Sequence, residues 1–382
     1  MIQHFLIIDS HLDLGWNALQ WDRNLLESVH AIRARENGLN EKARGQGTVA
    51  LPELRQGRVA VCFATMLARS TGTPVPHLDF LSHAQAYGIA LGQLAYYRAL
   101  ERQGHIRVIS NADVLDSHMA EWSAWDGTEP SPPLGFVISM EGADPIADPA
   151  QLIEWWEAGL RVLGPAHYGA CRYTGGTSTE LGLTDRGREL LPEMERLGML
   201  LDLTHLSDPA FWQALDLYHG PVLASHNNCR ALVPHQRQFG DEQLKAIFAR
   251  DGVIGAAFDA WMLQPNWVVG QTTNEHVTLA SVVDHIDHVC QLAGNSRHAA
   301  VGSDLDGGFG REQSPSDLDT IADLQKLADL MTARGYSQDD VAAIMHGNLV
   351  RLLRDAWKKQ SAQPATEGRE GSKRLSGITV HQ

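Results

Sequence analysis

Short apolar runs recur along the chain, each closed by a polar or charged residue and followed by a stretch of helical pattern. They fall near 5–9, 59–66, 135–141, 159–164, 199–204, 221–225, 252–258 and 298–303. Their apolar character is continuous rather than alternating, which suits parallel strands buried on both faces. Eight such runs with helices between them predict an α/β fold, a (β/α)8 barrel. The helix signals agree. Asp208-Pro209 offers an N-cap and a proline at the first helical position, ahead of Phe211 and Leu215. Ser337 followed by Asp340 resembles a capping box, with Asp where Glu or Gln is usual. Residues 276–292 read as an amphipathic helix.

Two segments break the rhythm and read as loop insertions, 16–48 and 120–134. Long loops on the catalytic face of such a fold often build the substrate pocket. Residues 1–357 are read as one catalytic barrel domain. The polar, weakly patterned tail 358–382 is expected to be mobile or to dock on a partner subunit.

At 382 residues and 43% hydrophobic, the chain suits one barrel with insertions. Its formal charge of −15 argues against a nucleic-acid partner, which needs a basic face. Cys62, Cys171, Cys229 and Cys290 form no CxxC pair, as in a reduced, cytoplasmic protein. No basic segment precedes the first apolar run, and no stretch approaches the roughly 20 apolar residues of a membrane span. The expectation is a cytoplasmic protein with no membrane partner.

The residues that close the runs carry the chemistry. In a parallel barrel, strand C-termini gather on one face, where active sites are built. His11-Leu12-Asp13 follows the first run; alternate residues of an extended segment point the same way, so both can reach one metal ion. Glu141 ends the third run, and a carboxylate there is either ion-paired or able to bridge two cations. His205 and His226 end successive runs. Each alone reads as a structural histidine; together, downstream of His11-x-Asp13 and Glu141, they read as metal ligands. Asp202 could orient one of these histidines or pair with a buried donor. Asp304 ends the last run and is placed to exchange protons with a nucleophilic water. Asp306 competes for that role, its other reading being a cap on the following Gly-Gly turn. His167 could polarise a carbonyl. Arg237 could fork onto a substrate carboxylate, with Arg230 as rival. His285 and His288, with His4, His77, His83, His118 and His298, read as surface or packing residues.

His11-x-Asp13, Ser139-Met140-Glu141-Gly142-Ala143, Asp202-Leu203-Thr204-His205, Ser225-His226-Asn227, Gly302-Ser303-Asp304-x-Asp306-Gly307 and Gly347-Asn348-Leu349 occur in that order. Over roughly residues 5–356 the chain resembles the renal (membrane) dipeptidase family of the amidohydrolase superfamily. The resemblance implies a distorted (β/α)8 TIM barrel with two zinc ions, one held by His11 and Asp13 and the other by His205 and His226, with Glu141 between them. It implies hydrolysis of small dipeptides by a metal-bridging hydroxide. His167 would polarise the substrate carbonyl, Arg237 would bind its carboxylate and Asp304 would transfer the proton. A homodimer is a further implication. Three positions depart from the family's pattern. Leu305 stands where phenylalanine is usual, Gln238 where asparagine is common, and Ala256-Ala257-Phe258-Asp259 where asparagine and tyrosine often lie near the substrate. An Asp259 there could repel a substrate carboxylate or bind a cation. Two alternatives remain: a related amidohydrolase acting on an N-acyl amino acid, cyclic amide or β-lactam, and a non-catalytic metal-binding homologue.

Overall fold

Nine strands form among the residues described by the computed structural model, 4–73 and 75–361. They are β1 (Ile7–Leu12), β2 (Val59–Leu67), β3 (Ile106–Val108), β4 (Leu134–Glu141), β5 (Val162–Gly164), β6 (Leu200–Asp202), β7 (Val222–Ala224), β8 (Val253–Ala256) and β9 (Ala299–Val301). The sheet runs β2-β1-β9-β8-β7-β6-β5-β4, and a β2–β4 pairing closes it into an eight-stranded barrel. Every pairing is parallel. This is the (β/α)8 architecture expected from the eight runs.

The barrel is distorted at one place. β3 pairs with the start of β4, Ile106↔Leu134 to Val108↔Phe136, outside the ring. β5 takes the same strand only from Ser139 onward. At three residues, Ile106-Arg107-Val108 is too short to register as an apolar run. All nine residues of β2 are buried, as the continuous apolar pattern requires.

Both expected loop insertions carry helix. Helices Leu14–Leu19 and Val29–Arg35 lie in or overlap 16–48. The helix Ala112–Ala124 occupies the first part of 120–134, and only 125–133 connect it to β4. Trp122 explains the difference. Its ring is fully buried, and its indole N–H donates to the Pro133 carbonyl at 3.0 Å. That tryptophan belongs to a packed face, not a solvated loop. Gly135 lets the same helix sit close to the barrel: a Cβ there would lie 2.6 Å from Nε2 of buried His118. The N-cap before Pro209 is Ser207, one residue earlier than the pattern suggested. Ser337 and Asp340 do form a reciprocal cap. The last helix, Asn348–Ser361, passes position 357, and 362–382 lie outside the described residues. Among the described residues no helix is long and apolar enough to cross a membrane.

Candidate metal centre

The C-terminal ends of β1, β4, β6, β7 and β9 bring His11, Asp13, Glu141, His205, His226 and Asp304 to one point. Glu141 stands in the middle. Its Oε1 lies 3.1 Å from His205 Nε2 and 3.4 Å from His226 Nε2. Its Oε2 lies 3.7 Å from His11 Nε2 and 3.8 Å from His167 Nε2. His11 Nε2 is also 3.8 Å from both Asp13 Oδ1 and Asp304 Oδ1. The two oxygens of one carboxylate thus face two different groups of ligating atoms.

These spacings suit metal ligation. Ligands at about 2.0–2.2 Å around a tetrahedral ion stand roughly 3.4 Å from one another. Three overlapping groups have atoms close enough to share an ion: His11, Glu141 and His226; Glu141, His167 and His205; His11, Asp13 and Asp304. His11 Nε2, Asp13 Oδ1 and Glu141 Oε1 are buried without a hydrogen-bond partner, a costly arrangement unless something else engages them.

The far sides of the rings fit as well. His205 Nδ1 lies 2.9 Å from Thr177 Oγ1. The Ser225 hydroxyl lies 3.0 Å from His226 Nδ1 and 3.3 Å from His11 Nδ1, with Thr204 Oγ1 at 3.4 Å. A hydroxyl has two lone pairs and one proton. Ser225 can therefore accept from both Nδ1–H groups and donate to Thr204. In that arrangement His11 and His226 each aim an Nε2 lone pair at the centre, as a ligating histidine must.

Electrostatics point the same way. Burial pushes the Asp13 carboxyl up to about 7. Glu141 rises well above the carboxylate range, first by burial, then by the nearby Asp13 and Asp304. Burial, then Asp13 and Asp259, raises Asp304 likewise. Burial lowers His11 to about 3 and His167, His205 and His226 well below the usual imidazole range. Burial thus biases the acids toward their neutral forms beside neutral imidazoles. A divalent cation inverts that balance, favouring carboxylate and neutral imidazole together.

Two residues of the centre also hold a left-handed backbone. His205 and Asp304 have φ of +66° and +56°. Such conformations are uncommon outside glycine and persist where the surroundings impose them.

Arg237 borders the same cleft, a small one of about 80 Å³. Its guanidinium is buried and donates to Asn227 Oδ1 at 2.5 Å and the His226 carbonyl at 2.8 Å. Among the described residues no carboxylate is paired with it. Asp259 also lines the cleft, its Oδ1 receiving Gln313 Nε2 at 2.7 Å. Burial raises this carboxyl to about 6.

Other candidates have different work. Arg230 is forked onto Asp208 at 2.7 and 2.8 Å. Asp306 accepts from the Thr48 and Val49 amides and the Thr48 hydroxyl, with Arg23 at 3.4 Å. It thereby ties the end of the 16–48 segment to the barrel rather than capping the Gly-Gly turn. Asp202 accepts from the Thr204 and Ser225 amides, joining the ends of β6 and β7, and touches no imidazole. Sequence reasoning missed Thr177, Ser225 and Arg69, whose Nη1 lies 3.1 Å from His167 Nδ1. Ser225 adjoins His226, which was the only local signal for any of them.

The family model for membrane dipeptidases (peptidase family M19) matches residues 1–367. An uncharacterized dipeptidase of Schizosaccharomyces pombe is 27% identical over 375 residues, 94% of this chain and 81% of its own length. Dipeptidase 3 of Rattus norvegicus is 25% identical over 364 residues, 93% of this chain and 66% of its own. Among solved structures, a metallopeptidase from Rhodobacter sphaeroides, liganded with a phosphinate mimic of the dipeptide L-Ala-D-Ala, superposes with a TM-score of 0.72. It shares 27% identity, and the match covers 93% of this chain and all of that one (100%). With a (β/α)8 barrel, a buried cluster of potential metal ligands and a family match along nearly its whole length, the chain belongs to the membrane dipeptidase family, peptidase family M19, and is a metallo-dipeptidase.

Proposed function

We propose that the protein hydrolyses small dipeptides with two zinc ions, one on His11 and Asp13, the other on His205 and His226, Glu141 reaching both. The observation that carries this reading is the division of Glu141: each carboxylate oxygen faces its own set of imidazoles. Bound there, two divalent ions would lower the pKa of a water toward neutrality and supply a nucleophile at neutral pH.

The protein's own groups supply the rest. Arg237, a buried cation held only by neutral acceptors, takes the C-terminal carboxylate of the dipeptide. His167 donates from Nε2 to the carbonyl oxygen as negative charge develops on it. Asp304 accepts the proton of the attacking water and returns it to the departing amine as the C–N bond breaks. It also faces the free amino group. Holding both charged ends favours dipeptides over longer chains. Asp259 adds a further carboxylate to the cleft wall, beside Asp13, Glu141 and Asp304, and would receive a cationic substrate side chain. The Rhodobacter sphaeroides relative, liganded with its dipeptide mimic, supports the substrate class. A second reading, another small amide such as an N-acyl amino acid, cyclic amide or β-lactam, draws its support from Asp259, which changes the cleft from the family's usual pattern.

The test is a panel of L-Xaa-L-Xaa and L-Xaa-D-Xaa dipeptides with zinc-loaded protein and an Asp304→Asn variant. Turnover should drop roughly 10²–10⁴-fold in the variant, with its metal retained. No dipeptide turnover by protein carrying two metal ions would overturn the reading in favour of other amides.

A further inference from the structure

Arg69 lies just beyond β2, and its guanidinium meets His167 at Nδ1, the ring nitrogen other than the one near Glu141. Nη1 is 3.1 Å from His167 Nδ1. An arginine has five N–H donors, no acceptor, and does not lose its proton in proteins. The contact is a hydrogen bond only if Nδ1 accepts, because a donor facing a donor is repulsive. Nδ1 therefore carries its lone pair, and the ring proton sits on Nε2, the atom 3.8 Å from Glu141 Oε2.

The loop around Arg69 is built to hold it. Its backbone amide donates to the Leu78 carbonyl at 2.9 Å, and its carbonyl accepts from the Phe80 amide at 2.8 Å. Asp79 Oδ2 lies 3.4 Å from Nε. Asp79 is itself fixed by the Thr71 amide at 3.1 Å and the Thr71 hydroxyl at 2.5 Å. Arg69 is 6% exposed, so its rotamer is locked by packing as well as by charge.

We propose that Arg69 is a positioning residue: it fixes His167 in the tautomer that presents its N–H to the substrate carbonyl. Without that bond either ring nitrogen could carry the proton, and in one tautomer the cleft would face a lone pair. A lone pair repels a developing oxyanion. The contribution of Arg69 to the reaction rests on the role given to His167 above; the tautomer itself does not.

The test has two parts. Nitrogen-15 NMR of zinc-loaded, full-length protein labelled at histidine reads the tautomer directly, with His167→Gln identifying the resonances. Wild type should show Nδ1 unprotonated and Nε2 protonated. In Arg69→Met this pattern should mix or reverse. Dipeptide hydrolysis should lose about 10- to 100-fold in kcat, below the loss from deleting an oxyanion donor outright, with KM within about twofold. Arg69→Lys, which restores a donor, should recover most of kcat. An Nδ1–H tautomer in wild type, or an unchanged tautomer in Arg69→Met, overturns the assignment. The wild-type spectrum decides this even if the methionine variant does not fold. A changed tautomer with unchanged kcat overturns the positioning role, and with it the role of His167 in the reaction.

Discussion

Replacing Arg237 with methionine tests substrate recognition most directly. The guanidinium is 2% exposed, held by Asn227 Oδ1 at 2.5 Å and the His226 carbonyl at 2.8 Å, and its Nε has no hydrogen-bond partner. A buried cation hydrogen-bonded only to neutral acceptors is expensive unless an anion joins it in the working state. Each hydrogen bond to a charged group is worth about 1.5–3 kcal/mol, so a two-pronged contact with a carboxylate contributes roughly 3–6 kcal/mol. At 1.4 kcal/mol per factor of ten, Arg237→Met should lower kcat/KM about 10²–10⁴-fold. Most of this should appear in KM, because the carboxylate stays ionised and bound through the reaction. The decisive assay pairs each dipeptide with its C-terminal amide. Wild type should lose a similar factor on amidation, whereas the variant should hydrolyse acid and amide within about threefold. This is a double-mutant cycle with one mutation in the substrate. Equal loss on amidation in both proteins would refute the reasoning. Metal content and thermal melting must accompany it, since Asn227 and the His226 carbonyl lose their donors.

Three further expectations follow from the same geometry. Ser225→Ala removes the hydroxyl shared by His11 and His226 and should weaken metal binding about 10- to 100-fold at both proposed ions, read by chelator competition; a loss at one ion alone would contradict the shared role. Gly307→Ala would put a Cβ 2.0 Å from Asp304 Oδ1, so kcat should fall at least tenfold while metal content is kept. Asp259 should set selectivity for a dipeptide with a lysine or arginine side chain over its leucine counterpart, by about 1 kcal/mol or roughly fivefold. Burial raises this carboxyl to about 6, so the anion is present above that pH and lost as pH falls through it. Selectivity should decline over that window in wild type and be absent and flat in Asp259→Asn.

The barrel was legible because its strands announce themselves. A strand buried on both faces must be continuously apolar, and a polar residue ending it has few places to go except the catalytic face. That logic gathers His11, Glu141, His205, His226 and Asp304 without any contact information. What it cannot supply is the identity of the partners behind them. Thr177 meets His205 across 28 residues, Arg69 meets His167 across 98, and Asp306 meets Thr48 across 258. None of these partners ends an apolar run or sits at a ligand spacing. Trp122 failed for the opposite reason: its neighbours are polar, and only burial of its ring reveals a helix. The division has a physical origin. Ligating atoms must converge on one point, so barrel topology restricts where they arise. The residues behind the site's imidazoles need only reach a ring nitrogen by a hydrogen bond, which any loop passing the rim can provide. A side chain on such a loop is read correctly only once the path of the chain is known. Arg69 and Ser225, rather than the proposed ligands themselves, are accordingly where the structure adds most to the chemistry of this site.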